Sequence, residues 1–197
     1  MTKPSEIKDW AKETEDMVSQ GIAHFKSGLN CSQSVALVFS EYYDIPESLM
    51  LRIAASFGGG IGRMRETCGA ACGMFLLAGL EVTTPTDTAT TDNNAPNLSV
   101  YPNADVKKKN YEVVQQLATT FKQQTGSLLC KELLGLSGPG ESQPIPTPPT
   151  PEARTAVYYQ KRPCTFMVET AIRTYMHYLQ NKYSPQATAV TDNIQLP

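Results

Sequence analysis

Residues 57–73 of this 197-residue chain read Phe57-Gly-Gly-Gly-Ile-Gly-Arg-Met-Arg-Glu-Thr-Cys-Gly-Ala-Ala-Cys-Gly73. The segment joins a glycine-rich loop directly to two cysteines, Cys68 and Cys72. Glycine adopts backbone conformations closed to other residues and lets the main chain approach a ligand closely. A thiolate is both a nucleophile and a soft metal ligand. The segment therefore predicts a break between helices at which backbone amides and sulfur meet.

The sequence on both sides of this segment has helical periodicity. Before the glycines, helices are predicted over residues 5–26, from Asn30 as an N-cap through Phe39, and from Pro46 to the glycine break. Because this segment contains β-branched residues, a strand is an alternative prediction for residues 35–39. Beyond the glycines, helices are predicted over residues 67–80, 105–121, 128–134 and 164–182.

Three segments lack this periodicity. Residues 83–104 are rich in Thr, Asn, Pro and Asp, residues 137–151 are rich in proline, and residues 184–197 have no regular pattern. The sequence therefore predicts an all-α fold, a single-domain helical bundle of about six helices with two long loop insertions. We expect this domain to span residues 1–183 and to be followed by an irregular tail over 184–197.

Composition excludes several functional classes. The net charge is −2, so the chain has no electrostatic footprint for nucleic acid or for an anionic membrane. The first residues lack the apolar core of a signal peptide, and no window reaches the roughly 18 apolar residues of a membrane span. We therefore expect a soluble, cytoplasmic protein. The odd count of five cysteines argues against a fully paired disulfide framework, and the absence of C-x-x-C-H excludes covalently attached c-type haem.

The cysteines are the strongest candidates for chemistry. Cys68 and Cys72 are spaced for one helical face, where they would share a metal, act as an attacking and a resolving thiol, or simply pack as small core residues. Cys31 and Cys164 are predicted near helix N-termini, which favour the thiolate. Cys130 lies in an apolar run that predicts burial.

Other residues give weaker signals. His24 and His177 lie in amphipathic helices and are predicted to be ordinary polar residues. Arg63, Arg65 and Glu66 either anchor the glycine loop or steer a charged ligand. The glycines lack the lysine of a phosphate-binding P-loop, so nucleotide binding is not predicted.

Taken together, the motif resembles a known family. The early cysteine, the pattern F-G-G-G-x-G-R-x-x-E-x-C-G-A-x-x-G and two separate downstream cysteines are similar to the C_GCAxxG_C_C family of redox-active proteins. The resemblance covers about residues 21–80, 111–136 and 162–179, and the two loop insertions are longer than the family leads us to expect. It implies a helical protein whose signature cysteines form one redox site: Cys31, Cys68, Cys130 and Cys164.

The resemblance also implies the partners and cofactor. A similar domain occurs in dimeric split-Soret cytochromes, so a homodimer is expected, although the redox partner is unknown. Four thiolates are the usual complement of [2Fe–2S] and [4Fe–4S] clusters. We therefore predict that these cysteines bind an iron–sulfur cluster in an electron-transfer protein. Loop amides would hydrogen-bond its sulfurs; the predicted cofactor-binding glycines are Gly58, Gly59, Gly60 and Gly62.

Three alternatives stay open. The cysteines could form reversible disulfides without a metal, hold zinc in a structural or scaffold module, or be vestigial in a helical domain that binds a small molecule. Cys72 occupies a variable position of the motif and is predicted to be either a neighbour of the site or an occasional substitute for one of its cysteines. No general acid or base identifies a catalysed reaction, so the sequence leaves open whether the protein is an enzyme.

Overall fold

The computed structural model describes residues 3–83, 103–137, 145 and 147–184. Within these residues the chain is all-α, as predicted, and forms no β-strand. Its α-helices in chain order are α1 (Trp10–Lys26), α2 (Cys31–Leu37), α3 (Glu47–Ala54), α4 (Gly69–Thr83), α5 (Ala104–Thr125), α6 (Cys130–Leu133), α7 (Ala156–Lys161) and α8 (Cys164–Tyr183). Six of these have seven or more residues, in agreement with the predicted bundle of about six helices.

Side-chain caps fix where several helices begin. The Asp9 carboxylate accepts a hydrogen bond from the Lys12 amide at 2.9 Å, so α1 begins at Trp10 and is shorter than the helix predicted over residues 5–26. The Asn30 side chain accepts from the Gln33 amide at 3.0 Å, which confirms the predicted N-cap. The open strand alternative over residues 35–39 is wrong, because this cap starts a helix that continues to Leu37.

The hydrophobic core lies between α8 and the helices around it. α8 packs against α1, α4, α5 and α2, and α2 packs closely along α4. The apolar stripe of α8 is buried, including Ile172, Tyr175 and Leu179. Gly73 permits the approach of α2 to α4, because a Cβ at this position would lie 2.8 Å from the carbonyl oxygen of Ser32. This approach places the start of α2 beside the start of α4.

A buried polar network closes the opposite end of α4. The Glu81 carboxylate accepts hydrogen bonds from Tyr43, Tyr183 and Lys182, and its side chain is only 4% exposed. Tyr175 donates a hydrogen bond to the carbonyl oxygen of Leu77 at 3.0 Å and shares another with Tyr43. These contacts connect α4 to α8 through groups that would otherwise be buried without partners.

Several predictions concern segments that the structure describes only in part. Residues 84–102 of the first insertion, residues 138–144 and 146 of the second, and residues 185–197 of the tail lie outside the described residues. The helix α7, which follows the second insertion, was not predicted. None of the described helices is both long enough and apolar enough to cross a membrane.

Candidate functional site

The glycine loop forms a left-handed turn. Successive φ angles are positive, with values of +65° at Gly59, +74° at Gly60, +56° at Ile61, +56° at Gly62 and +68° at Arg63. Consecutive left-handed residues are unusual, because each residue with a Cβ is strained in this conformation. Backbone hydrogen bonds close the turn: the Gly62 amide donates to the Ser56 carbonyl at 2.7 Å, and the Arg63 amide donates to the Gly58 carbonyl at 3.2 Å.

The end of this loop pairs with the chain around α6. The Cys68 amide donates to the Leu128 carbonyl at 2.7 Å, and the Cys130 amide donates to the Glu66 carbonyl at 2.7 Å. This short antiparallel pairing includes the isolated bridge between Thr67 and Leu129. It brings together two signature cysteines that are far apart in the sequence.

All four signature cysteines stand at the N-termini of helices. Cys31, Cys130 and Cys164 are the first residues of α2, α6 and α8, and Cys68 immediately precedes α4. The predicted positions of Cys31 and Cys164 are therefore confirmed. Cys68 lies one helical turn before Cys72, as predicted, since the Cys72 amide donates to the Cys68 carbonyl at 2.9 Å. At these helix ends free amides favour an anionic sulfur.

The four signature cysteines line one cavity of about 450 Å³. Four of the glycines at its wall are the predicted cofactor-binding residues: Gly58, Gly59, Gly60 and Gly62. Gly69 also lines the wall, and a Cβ there would lie 3.3 Å from the Cβ of Cys31. Cys72 is buried but does not line the cavity, and its thiol points to the Thr67 carbonyl at 3.8 Å.

The thiols have different acidities. Hydrogen bonding between Cys31 and Cys164, together with burial, raises the pKa of Cys31 well above its ordinary value. The same hydrogen bond, aided by Arg162 and Arg154, lowers the pKa of Cys164. Burial raises the pKa of Cys68 to about 12, although the amides of the first α4 turn oppose this shift. Cys164 is therefore the thiol that ionises most readily.

Burial also raises the pKa of the remaining two thiols. For Cys130 the shift is opposed by a hydrogen bond from Arg65 and by the charge of Arg162. For Cys72 burial raises the pKa to about 11, and no cation contributes to the shift. The arginines therefore lower the pKa of Cys130 and Cys164 relative to burial alone and do not act on Cys72.

Among the described residues, the cavity is lined by four arginines and one carboxylate. Its charged lining residues are Arg63, Arg65, Arg154, Arg162 and Glu152. Arg154 donates to the carbonyls of Phe25 and Leu29 and stacks on the rings of Phe25 and Tyr158. The excess of positive charge matches thiolates or another anion.

Sequence reasoning missed Glu152 and Tyr158, which lie after the proline-rich segment and carry no motif. The histidines do not line the cavity, which agrees with their predicted ordinary roles.

The potential metal ligands among the described residues do not form a ready-made ion site. Within residues 3–83, 103–137, 145 and 147–184, no group of three or more His, Cys, Asp or Glu side chains is arranged so that it could hold a metal ion. All five cysteines are free thiols. The donor set is nevertheless one that iron–sulfur clusters use, and the missing Cβ atoms of the glycines leave space beside it.

The protein is thus an all-α domain in which four free cysteines line one positively charged cavity. The chain belongs to the family described as "Putative redox-active protein (C_GCAxxG_C_C)", whose model matches residues 29–178. This match confirms the predicted family and supports a redox role. No curated protein and no solved structure matched the chain.

Proposed function

We propose that this protein transfers electrons through an iron–sulfur cluster held by Cys31, Cys68, Cys130 and Cys164. The observation that carries the proposal is the presence of these four thiols, from four separate helix starts, around one cavity. When bound, such a cluster supplies one-electron redox chemistry. The residues of this chain would provide the ligands, a cationic surrounding and shelter from solvent.

The size of the cavity favours a polynuclear group over a single zinc ion. The thiols surround a volume of about 450 Å³, and they do not converge on one point in the described residues. A single tetrahedral ion needs all its sulfur ligands within about 2.3 Å. In a cluster, by contrast, the thiolates are distributed over several iron atoms.

The surroundings raise the pKa of three of the four proposed ligands, Cys31, Cys68 and Cys130, and nearby hydrogen-bond donors partly offset this shift at two of them. Metal binding displaces thiol protons, so the raised pKa of Cys68 and of Cys130 opposes loading at low pH. Arg65 compensates at Cys130 through its hydrogen bond. Amides of the first α4 turn do the same at Cys68.

Anaerobic purification followed by assays of iron and acid-labile sulfide tests this proposal. We expect both elements, together with visible absorption that bleaches on reduction. Each of four substitutions should remove most of the absorption: Cys31→Ser, Cys68→Ser, Cys130→Ser and Cys164→Ser. Cys72→Ser is the matched control and should retain it. A colourless protein that resists anaerobic reconstitution would refute the proposal.

A second candidate function is supported by the direct interaction between Cys31 and Cys164. The Cys164 thiolate would attack a disulfide of a partner and release one thiolate. Cys31 would then resolve the mixed disulfide, so that the chain gains an intramolecular disulfide and the partner becomes a dithiol. Thiol titration and peptide mapping before and after reductant test this reaction. A metal-free protein that forms no Cys31–Cys164 disulfide would exclude it.

The proposal includes an assembly and a compartment. We propose a homodimer that works in the cytoplasm, where free thiols persist in the reduced state. Light scattering of the loaded protein tests the dimer, and a monomer at micromolar concentration would contradict it.

A further inference from the structure

Three guanidinium groups meet one carboxylate at the mouth of the cavity. Glu152 Oε1 lies 3.8 Å from Nη2 of Arg63 and 3.8 Å from Nη2 of Arg65, and it accepts a hydrogen bond from Arg162. A separation of 3.8 Å exceeds hydrogen-bond distance. The carboxylate therefore accepts a hydrogen bond from only one of the three guanidinium groups.

Arg65 has a donor that the described residues leave unused. Its Nε is buried without a hydrogen-bond partner, and the residue as a whole is 5% exposed. Arg65 lines the cavity together with Cys130, and its charge opposes the rise in the pKa of that thiol. A buried donor without an acceptor is unfavourable, so an acceptor that enters the cavity would be bound favourably.

The positions of these side chains leave the mouth accessible. The side chain of Glu152 is 48% exposed, whereas those of Arg63 and Arg162 are 16% and 18% exposed. The carboxylate therefore occupies the outer side of the arginines, where solvent can replace it. The buried thiols of Cys68 and Cys130 lie on the inner side.

We propose that Arg63, Arg65 and Arg162 bind a small oxyanion, namely a carboxylate or phosphate group of the redox substrate, at a position that Glu152 partly fills. Planar guanidinium groups bind such groups through paired hydrogen bonds. An oxyanion that presents two or more oxygens would satisfy more donors than Oε1 alone. That the oxyanion belongs to a redox substrate rests on the proposed function. The binding itself requires neither a cluster nor a disulfide.

Calorimetric titration of the reduced full-length chain tests the site. Inorganic phosphate and acetate are titrated separately at constant ionic strength set with chloride. We expect binding of at least one of them, and Glu152→Gln should bind it about tenfold more tightly because the internal competitor loses its charge. Binding of phosphate alone assigns a phosphate group, binding of acetate alone assigns a carboxylate, and binding of both assigns a general oxyanion site.

Two substitutions and one control locate the binding. Arg162→Gln and Arg63→Gln should each weaken binding about tenfold or more. Arg52→Gln removes the same charge from the exposed face of α3, outside the cavity, and should change nothing. Circular dichroism verifies that the variants are folded.

Two results would overturn the inference: no binding of either anion by the wild type and by Glu152→Gln, or equal binding by the cavity variants and the Arg52 control. Iron and sulfide contents of the same proteins are measured separately. A chain that contains no iron but binds phosphate refutes the cluster and keeps the oxyanion site.

Discussion

The Cβ position of Gly60 lies 2.5 Å from the Cβ of Cys130. Gly60 also has a φ of +74°. An alanine here would therefore be strained in its backbone and would push against a signature cysteine. We expect Gly60→Ala to lower the free energy of unfolding by about 2–4 kcal/mol, from a left-handed residue and an overpacked contact. Urea unfolding measures the loss of stability. The iron content after anaerobic reconstitution measures the effect on the proposed cluster site.

Gly135→Ala is the matched control for this substitution. Gly135 has a φ of +64°, but nothing lies within 4 Å of its Cβ position. It should lose only the conformational part, about 1–2 kcal/mol, and retain the iron. Equal losses in the two variants would show that the contact with Cys130 contributes nothing.

The Asn30 side chain connects α2 to the loop that precedes the glycines. It caps α2 and donates a hydrogen bond to the Ala55 carbonyl at 2.9 Å. We expect Asn30→Ala to lose about 1–2 kcal/mol of stability and to speed the alkylation of Cys31, because both the cap and the loop contact disappear. Denaturant titration and peptide mapping measure these changes.

Asn103 offers a comparison for Asn30, since it caps α5 through the Asp105 amide at 2.8 Å. Asn103 does not line the cavity. Asn103→Ala should lose a cap of similar strength while the alkylation of Cys31 stays unchanged. Faster alkylation in this variant would mean that global instability alone exposes the thiol.

Cys164 should be the first thiol to react with iodoacetamide as the pH rises in the reduced, metal-free protein. Its pKa lies below the ordinary value, so its thiolate forms at a lower pH, whereas Cys31 has a raised pKa and should react later. Arg162→Gln should move the reaction of Cys164 to higher pH, because a nearby cation is lost. Mass spectrometry of the alkylated peptides measures the order.

The control for Arg162 is Arg173→Gln, since Arg173 is bound to Glu15 and Glu169. It should leave the pH dependence of Cys164 unchanged. A uniform reaction of all cavity thiols, or an equal shift in both arginine variants, would contradict the assignment.

Tyr175 should contribute to stability through its buried hydroxyl. Tyr175→Phe removes the hydrogen bond to the Leu77 carbonyl and the one shared with Tyr43. We expect a loss of about 1–3 kcal/mol, because a buried polar group is left without its partner. Tyr111→Phe removes a hydroxyl from a residue that is 60% exposed and should change stability by less than about 0.5 kcal/mol. Thermal and urea unfolding compare the two, and equal stabilities would contradict the role of the network.

The helical elements could be predicted because their signals are local. The apolar stripe of α8 and the cap at Asn30 are visible in the sequence, and both are present in the structure. α7 has only six residues and follows a proline-rich segment, so its periodicity is too short to detect. Asp9 shortens α1, because its cap competes with the apolar pattern that begins before it.

The residue types that form the site could be predicted from the sequence, but their arrangement could not. The motif identified the cysteines and glycines, and the structure brings them to one cavity, although their part in binding a cofactor stays a prediction. The positive φ angles of Ile61 and Arg63 could not be predicted, because the hydrogen bonds of the turn over residues 56–64 hold in this conformation residues that do not favour it. Glu152 meets the arginines only through the path of the chain after the second insertion.

Because one signature cysteine lies at the start of each of four helices, the site is complete only when all four helices are in place. A nascent chain that has not yet reached Cys164 lacks the fourth thiol, and a chain in which α6 has not paired with the loop separates Cys68 from Cys130. Early intermediates therefore offer only scattered thiols with no shared enclosure. Under the proposed function, a complete cofactor site exists only after all four helix starts have come together.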